Sequence, residues 1–152
     1  MTRSLIFFGV LGILSTAVAF AANRRLFSGG TVGRVRPLEV AYYAAGVASL
    51  AIGWYCNVRY VHATANASYV NYTKMLFTNW AADSAAQDYT IVNVVLLPLW
   101  TIVEGRRAGL RAAWIFFVMS LFTSLAFAVA MYLAFAERQR RFAQVPAASS
   151  TA

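Results

Sequence analysis

The sequence predicts an all-α integral membrane protein, a four-transmembrane-helix bundle with an interfacial segment between helices 2 and 3. Three observations predict it. Apolar residues are 61% of the chain, against roughly 45–50% in a soluble domain. Charged residues are 12%, about half the usual share. The apolar residues also gather into four runs, each close to the roughly 20 residues that cross about 30 Å of hydrocarbon as a helix. A water-soluble globule of 152 residues has no interior large enough for so much apolar surface.

The first run, residues 4–22, holds no charge and ends at Asn23-Arg24-Arg25. Arg3, the apolar stretch and Ala19-Phe20-Ala21 also fit a cleaved secretory signal. The run exceeds the usual apolar core of about 7–15 residues, which favours an uncleaved helix. Ser28-Gly29-Gly30 and Gly33 make a flexible connection. Pro37, whose missing N–H is harmless at a helix start, opens the second helix over residues 38–57. Ser84 and Gln87 have capping-box spacing and predict the start of the third helix, residues 85–103. Pro98 predicts a kink within it. Gly105 and Gly109 mark a turn of about seven residues, so the third helix and the fourth, residues 112–136, are antiparallel neighbours. Residues 1–142 thus form one transmembrane domain, and 143–152 a small, polar, disordered tail.

The long connection, Val58 to Asp83, carries Tyr69, Tyr72, Leu76 and Trp80 at helical spacing. They suit an amphipathic helix resting on headgroups, or a docking face for a partner. Two Asn-x-Ser/Thr triplets, at Asn66 and Asn71, match the glycosylation pattern by composition alone. Ala45, Ser49 and Gly53 form a small-xxx-small stripe for helix packing on the second helix, and Gly9 and Gly12 a shorter one on the first. The stripe on the second helix serves packing within the chain or contact in a homo-oligomer.

Net charge is +8, and the chain has one cysteine, Cys56, and one histidine, His62. A disulfide framework and a cysteine or paired-histidine metal site are excluded. Haem held by His62 would lack a second histidine. No metal or cofactor is expected. The basic residues flank the helices instead of covering one soluble face, so nucleic acid is not an expected partner, whereas the lipid bilayer is. With four spans, seven basic residues (Arg24, Arg25, Arg34, Arg36, Arg106, Arg107 and Arg111) fall on one side and six (Arg3, Arg59, Lys74, Arg138, Arg140 and Arg141) on the other. The totals do not decide orientation. The density of arginine in the two short connections places these in the cytoplasm. Both termini and the long connection then lie outside.

Few polar residues fall where they cost energy. Asp88 and Asn93 lie in the third run. Asp88 either serves proton or cation traffic or favours the positive end of its helix. Asn93 is placed to bond a neighbouring helix. Glu104, at the other end, needs compensation from Arg107 or Arg111. Glu39 sits in the first turn of the second helix, where its charge is favourable. Asp88 and Glu104 are sixteen residues apart on one helix, or about 24 Å, too far to act as an acid/base pair. Trp54, Tyr55, Asn57, Arg59 and His62 crowd the end of the second helix, where Trp54 and Tyr55 suit the aromatic belt.

Trp54-Tyr55-Cys56-Asn57, Phe77-x-Asn79-x-Ala81-Ala82, Asp88 and Trp100-x-x-x-Glu104-Gly105-Arg106-Arg107 with Trp114 make the region from about Tyr43 to Arg141 resemble a bacterial membrane family known as domain of unknown function 2834. The resemblance leaves out the first helix. It implies a small helical membrane protein, brings no activity, and marks Asn57, Asp88, Glu104, Arg106 and Arg107 as positions of interest.

These readings lead to a multi-pass protein of the cell (inner) membrane. The expected role is a non-enzymatic accessory or stabilising subunit of a larger membrane complex, with other membrane proteins as partners. The alternatives are a small-solute or ion transporter or channel using Asp88 with Asn93, and a membrane-embedded lipid or isoprenoid enzyme using Asp88 or Glu104 as proton donor.

Overall fold

A computed structural model describes residues 3–28 and 35–148, and every described element is helical. Gly29, Gly30, Gly33 and Arg34 of the first connection and the last four residues lie outside the described residues. The helices are α1 (Arg3–Ala22), α2 (Pro37–Ala63), α3 (Tyr69–Met75), α4 (Trp80–Ile91), α5 (Leu97–Arg107), α6 (Ile115–Phe122) and α7 (Leu125–Ala148). A π-helical turn, Val92–Leu96, joins α4 to α5 without a break. Two of these helices, α1 over Leu5–Ala22 and the continuous Trp80–Arg107, are long and apolar enough to cross a membrane.

The largest departure from expectation is the fourth run. Residues 112–136 do not form one helix. The chain reverses at Thr123-Ser124, and α6 and α7 lie antiparallel against each other. Phe116 on α6 meets both Tyr132 (5.6 Å between ring centroids) and Phe135 (5.4 Å) on α7, which fixes the register of the hairpin. The reversal has a local cause. The Thr123 hydroxyl and N–H both donate to the Met119 carbonyl, at 2.7 and 2.9 Å, and so close α6. The Ser124 hydroxyl then accepts from the Phe127 N–H at 3.1 Å and caps α7. With eight residues, α6 is about 12 Å long, well short of a membrane span. α7 continues past the expected helix end at 136 and stays helical to Ala148, into the stretch from 143 expected to be a disordered tail.

The hairpin is the centre of the fold. α2 runs along α7, α1 packs on α6, and the π turn and α5 close over the other side of α6. Phe116, Met119, Phe135 and Leu26 are among the fully buried side chains of the core. The rings of Phe20, Phe27 and Trp100 pack around this core. The stripe expected from Ala45 and Gly53 is not the contact face. Ala45 is exposed and a Cβ on Gly53 would meet nothing within 4 Å, whereas Gly46 lies against Phe127 and Ala130. Ser49 does make contact, bonding the Ser124 hydroxyl at 2.9 Å. On α1, Gly9 meets Trp54 and Gly12 meets Thr123.

The third run begins earlier than its capping-box spacing implies. Asn79, not Ser84, is the N-cap, and its side chain accepts from the N–H groups of Ala81 (3.1 Å) and Ala82 (3.0 Å). Just before Pro98, where a kink is expected, the helix takes the π turn. There the Leu97 N–H reaches back to the Val92 carbonyl, and widening this turn relieves the clash a proline ring makes with the carbonyl four residues earlier. α5 ends in a Schellman motif: Leu110 N–H donates to Gly105 O (2.8 Å) and Gly109 N–H to Arg106 O (2.9 Å), with Gly109 at φ +81°.

A Cβ on Gly105 would lie 2.5 Å from the Ala113 Cβ. Gly105→Val is therefore expected to cost about 1–3 kcal/mol through overpacking. Gly53→Ala, in open space, is expected to be neutral or to stabilise by up to about 1 kcal/mol. Thermal unfolding of the two variants in detergent checks both.

Candidate functional site

The strongest concentration of charge is at the end of the molecule where α1 and α5 finish and α2 begins. Glu39, in the first turn of α2, is fully buried. Arg138 on α7 donates from Nη1 to Glu39 Oε1 at 2.6 Å, and Arg141, one turn on, donates from Nη2 to Glu39 Oε2. Arg138 also donates from Nε to the Leu26 carbonyl and lies 4.7 Å from the centroid of the Phe27 ring. Both carboxylate oxygens are engaged and the guanidinium of Arg138 is fixed on three sides. A carboxylate held on both oxygens moves little, so its role is that of a clamp. Desolvating these charges is costly, and pairing both carboxylate oxygens offsets part of the cost.

The clamp extends across the same end. Asn23, fully buried after α1, donates to the carbonyls of Ala19 (3.0 Å) and Arg111 (2.9 Å) and accepts from the Arg111 N–H (2.9 Å). Arg25 donates to the Gly109 carbonyl (2.6 Å) and to Gln139 on α7 (3.1 Å). Glu137 lies 3.9 Å from Arg36 and 3.7 Å from Arg140. Every connection that reaches this end is tied to another.

A second, smaller polar contact sits at the π turn. Asn93 is buried there and accepts from the Ser120 hydroxyl at 2.6 Å, while its amide donates to the Tyr89 hydroxyl at 3.2 Å. The π turn thereby fastens α4–α5 to the outer half of α6.

The residues singled out from the sequence do not converge. Asp88 is exposed and bonds its neighbour Gln87, while Asn93 faces inward, so the two share no pocket. Glu104 pairs with Arg107 at 2.6 Å on the surface of α5, the local pair their spacing suggests. Arg106 is exposed and Asn57 half-buried. Tyr69, Tyr72, Leu76 and Trp80 do not share one helix: α3 ends at Met75, and Trp80 opens α4. Tyr69 stacks near Phe8 (5.5 Å), Tyr72 meets Tyr60 (5.3 Å), and Trp80 is 91% exposed. Cys56 and His62 are exposed, and among the described residues no group of three metal-ligating side chains occurs. Sequence reading placed Glu39 only as a helix-start charge and Arg138 and Arg141 at the opposite side. Their pairing joins positions 99 and 102 residues apart, which no local pattern signals.

The chain belongs to the family described as protein of unknown function DUF2834, whose profile matches residues 41–138. The match runs from the first turns of α2 to Arg138 and covers the hairpin, leaving out α1, Glu39 and Arg141. No curated protein and no solved structure matches the chain.

Removing one member of a buried ion pair leaves the other charge uncompensated. Glu39→Gln is expected to destabilise by about 3–5 kcal/mol. Asp88→Asn, on an exposed side chain, is expected to change stability by less than about 0.5 kcal/mol. Chemical denaturation in detergent, read by tryptophan fluorescence, separates the two.

Proposed function

We propose that the protein is a small multi-pass protein of the cell membrane, acting without catalysis as an accessory or stabilising subunit of a larger membrane assembly. The observation that carries the reading is an inverted distribution of polarity. Glu39, Arg141 and Asn93 are buried, while Ile6, Phe7, Ile13, Val47, Ile52, Val94 and Leu99 are exposed along the outer faces of α1, α2, the π turn and α5. Lipid is the solvent in which such a surface is stable. Asp88 and Asn93 face different surroundings, and Glu104 is engaged by Arg107, so the geometry favours neither a transport path past the first two nor a proton donor at the third. Trp80 and Tyr69, exposed at the far end, offer aromatic contact to a neighbouring subunit.

In this reading α1, α2 and α4–α5 traverse the bilayer, and α6–α7 enters and leaves by the same side. The hairpin alters the charge balance. Among the described residues, nine basic side chains (Arg24, Arg25, Arg36, Arg106, Arg107, Arg111, Arg138, Arg140 and Arg141) gather at the end that holds the clamp, and three (Arg3, Arg59 and Lys74) at the other. An excess of that size favours the cytoplasm for the arginine-rich end. The C-terminus then shares the cytoplasmic side with the α5–α6 turn, while the N-terminus and α3 lie outside.

Reporter fusions test the orientation. Green fluorescent protein at the C-terminus is expected to fluoresce, and alkaline phosphatase there to be inactive; an active phosphatase would mean that the last run crosses the bilayer. Extraction in mild detergent tests the role: migration well above 16.7 kDa with other chains is expected, and a solitary protomer in native membranes would reject the accessory reading.

A further inference from the structure

We propose that the arginines around the α5–α6 turn form a binding site for the headgroup phosphate of anionic phospholipids. The inference rests on the membrane reading above and goes beyond it by assigning a ligand. The charge of the molecule is highly asymmetric. Among the described residues, the clamp end carries nine basic side chains against Glu39, Glu104 and Glu137, a net +6, and the opposite end three against Asp83 and Asp88, a net +1. At the clamp end Glu39 is consumed by Arg138 and Arg141, Glu137 is shared by Arg36 and Arg140, and Glu104 is taken by Arg107. Arg24, Arg106 and Arg111 are exposed, and among the described residues no carboxylate pairs with them.

The fold places these three around one turn. Asn23 bonds both the N–H and the carbonyl of Arg111, which sets Arg24, the next residue after Asn23, against the turn. Arg106 lies in the last turn of α5, immediately before it. Four carbonyls that would repel an anion are occupied: those of Gly105 and Arg106 by the Schellman motif, that of Gly109 by Arg25, and that of Arg111 by Asn23. The exposed guanidinium groups each present a planar fork that matches phosphate oxygens two at a time. Trp114, 50% exposed, ends the turn, and tryptophan favours headgroup depth. Basic clusters beside helix ends at the cytoplasmic leaflet attract anionic lipids with about fivefold in affinity per arginine.

The test uses the full-length protein in a non-ionic detergent, with lipid adducts counted by native mass spectrometry during titration with dioleoylphosphatidylglycerol, dioleoylphosphatidylcholine or inorganic phosphate. Retention of phosphatidylglycerol over phosphatidylcholine is expected. The triple variant Arg24→Gln, Arg106→Gln, Arg111→Gln is expected to lose roughly a hundredfold in that affinity while keeping the thermal stability of the parent. Equal binding of the two lipids, or undiminished phosphatidylglycerol binding by the triple variant, would overturn the proposal. So would full displacement of the lipid by millimolar phosphate, which would make the site one for a free anion. The C-terminal reporter fusions read orientation separately, so a wrong topology and an absent lipid site give different results.

Discussion

The burial of the Glu39 carboxylate between Arg138 and Arg141 is the constraint on which the rest of the fold depends. Glu39 opens α2, and the two arginines follow the last apolar run. If that run crossed from one side to the other, the arginines would end a full helix length from their partner and one buried charge would have none. Pairing requires the run to return to the end it left, and the reversal at Thr123-Ser124 accomplishes this. Once α7 descends beside α2, α6 becomes the wall on which α1 and α5 pack. The positions of Asn23, Arg25 and Gln139 follow from the same descent.

Much of the fold was legible because its signals are local. The extent of α1, the proline at the start of α2 and the glycine that ends α5 are each set by a few adjacent residues. So is the pairing of Glu104 with Arg107. The inward turn of Asn93 was legible from cost alone, since an amide in an apolar run needs a partner. Where two local signals compete, as Asn79 and Ser84 do for one helix start, the residue types do not rank them. Asn79 prevails, and Trp80 becomes the first residue of α4.

The hairpin was not legible, and α1 shows why. Ser15 and Thr16 sit together in an apolar helix and return their hydroxyls to the Gly12 carbonyl at 3.0 and 2.8 Å, leaving the helix intact. Thr123 and Ser124 are the same kind of pair in the same kind of run, yet there the helix ends and another begins. A hydroxyl next to a backbone in apolar surroundings can close a turn or cap a new one. The decision between them lies in the distant charge pairing and in the contact of Ser124 with Ser49. Hydropathy over a window averages this distinction away. The single helix expected through Tyr69, Tyr72, Leu76 and Trp80 is interrupted for a related reason: their equal spacing runs through a stretch in which the helix stops at Met75 and restarts at Trp80.

The π turn holds one residue more than an α-helical turn would. One α-helical residue corresponds to a rotation of about 100° about the axis. α4 is therefore set by that angle from the direction an uninterrupted helix would give it, independently of how α5 is seated. Loss of a single codon between Val92 and Leu96 would return the ladder to regular spacing. That deletion takes away the extra residue and its rotation together, so Asp83, Gln87 and Asp88 would keep the face they now present and the clamp would be untouched.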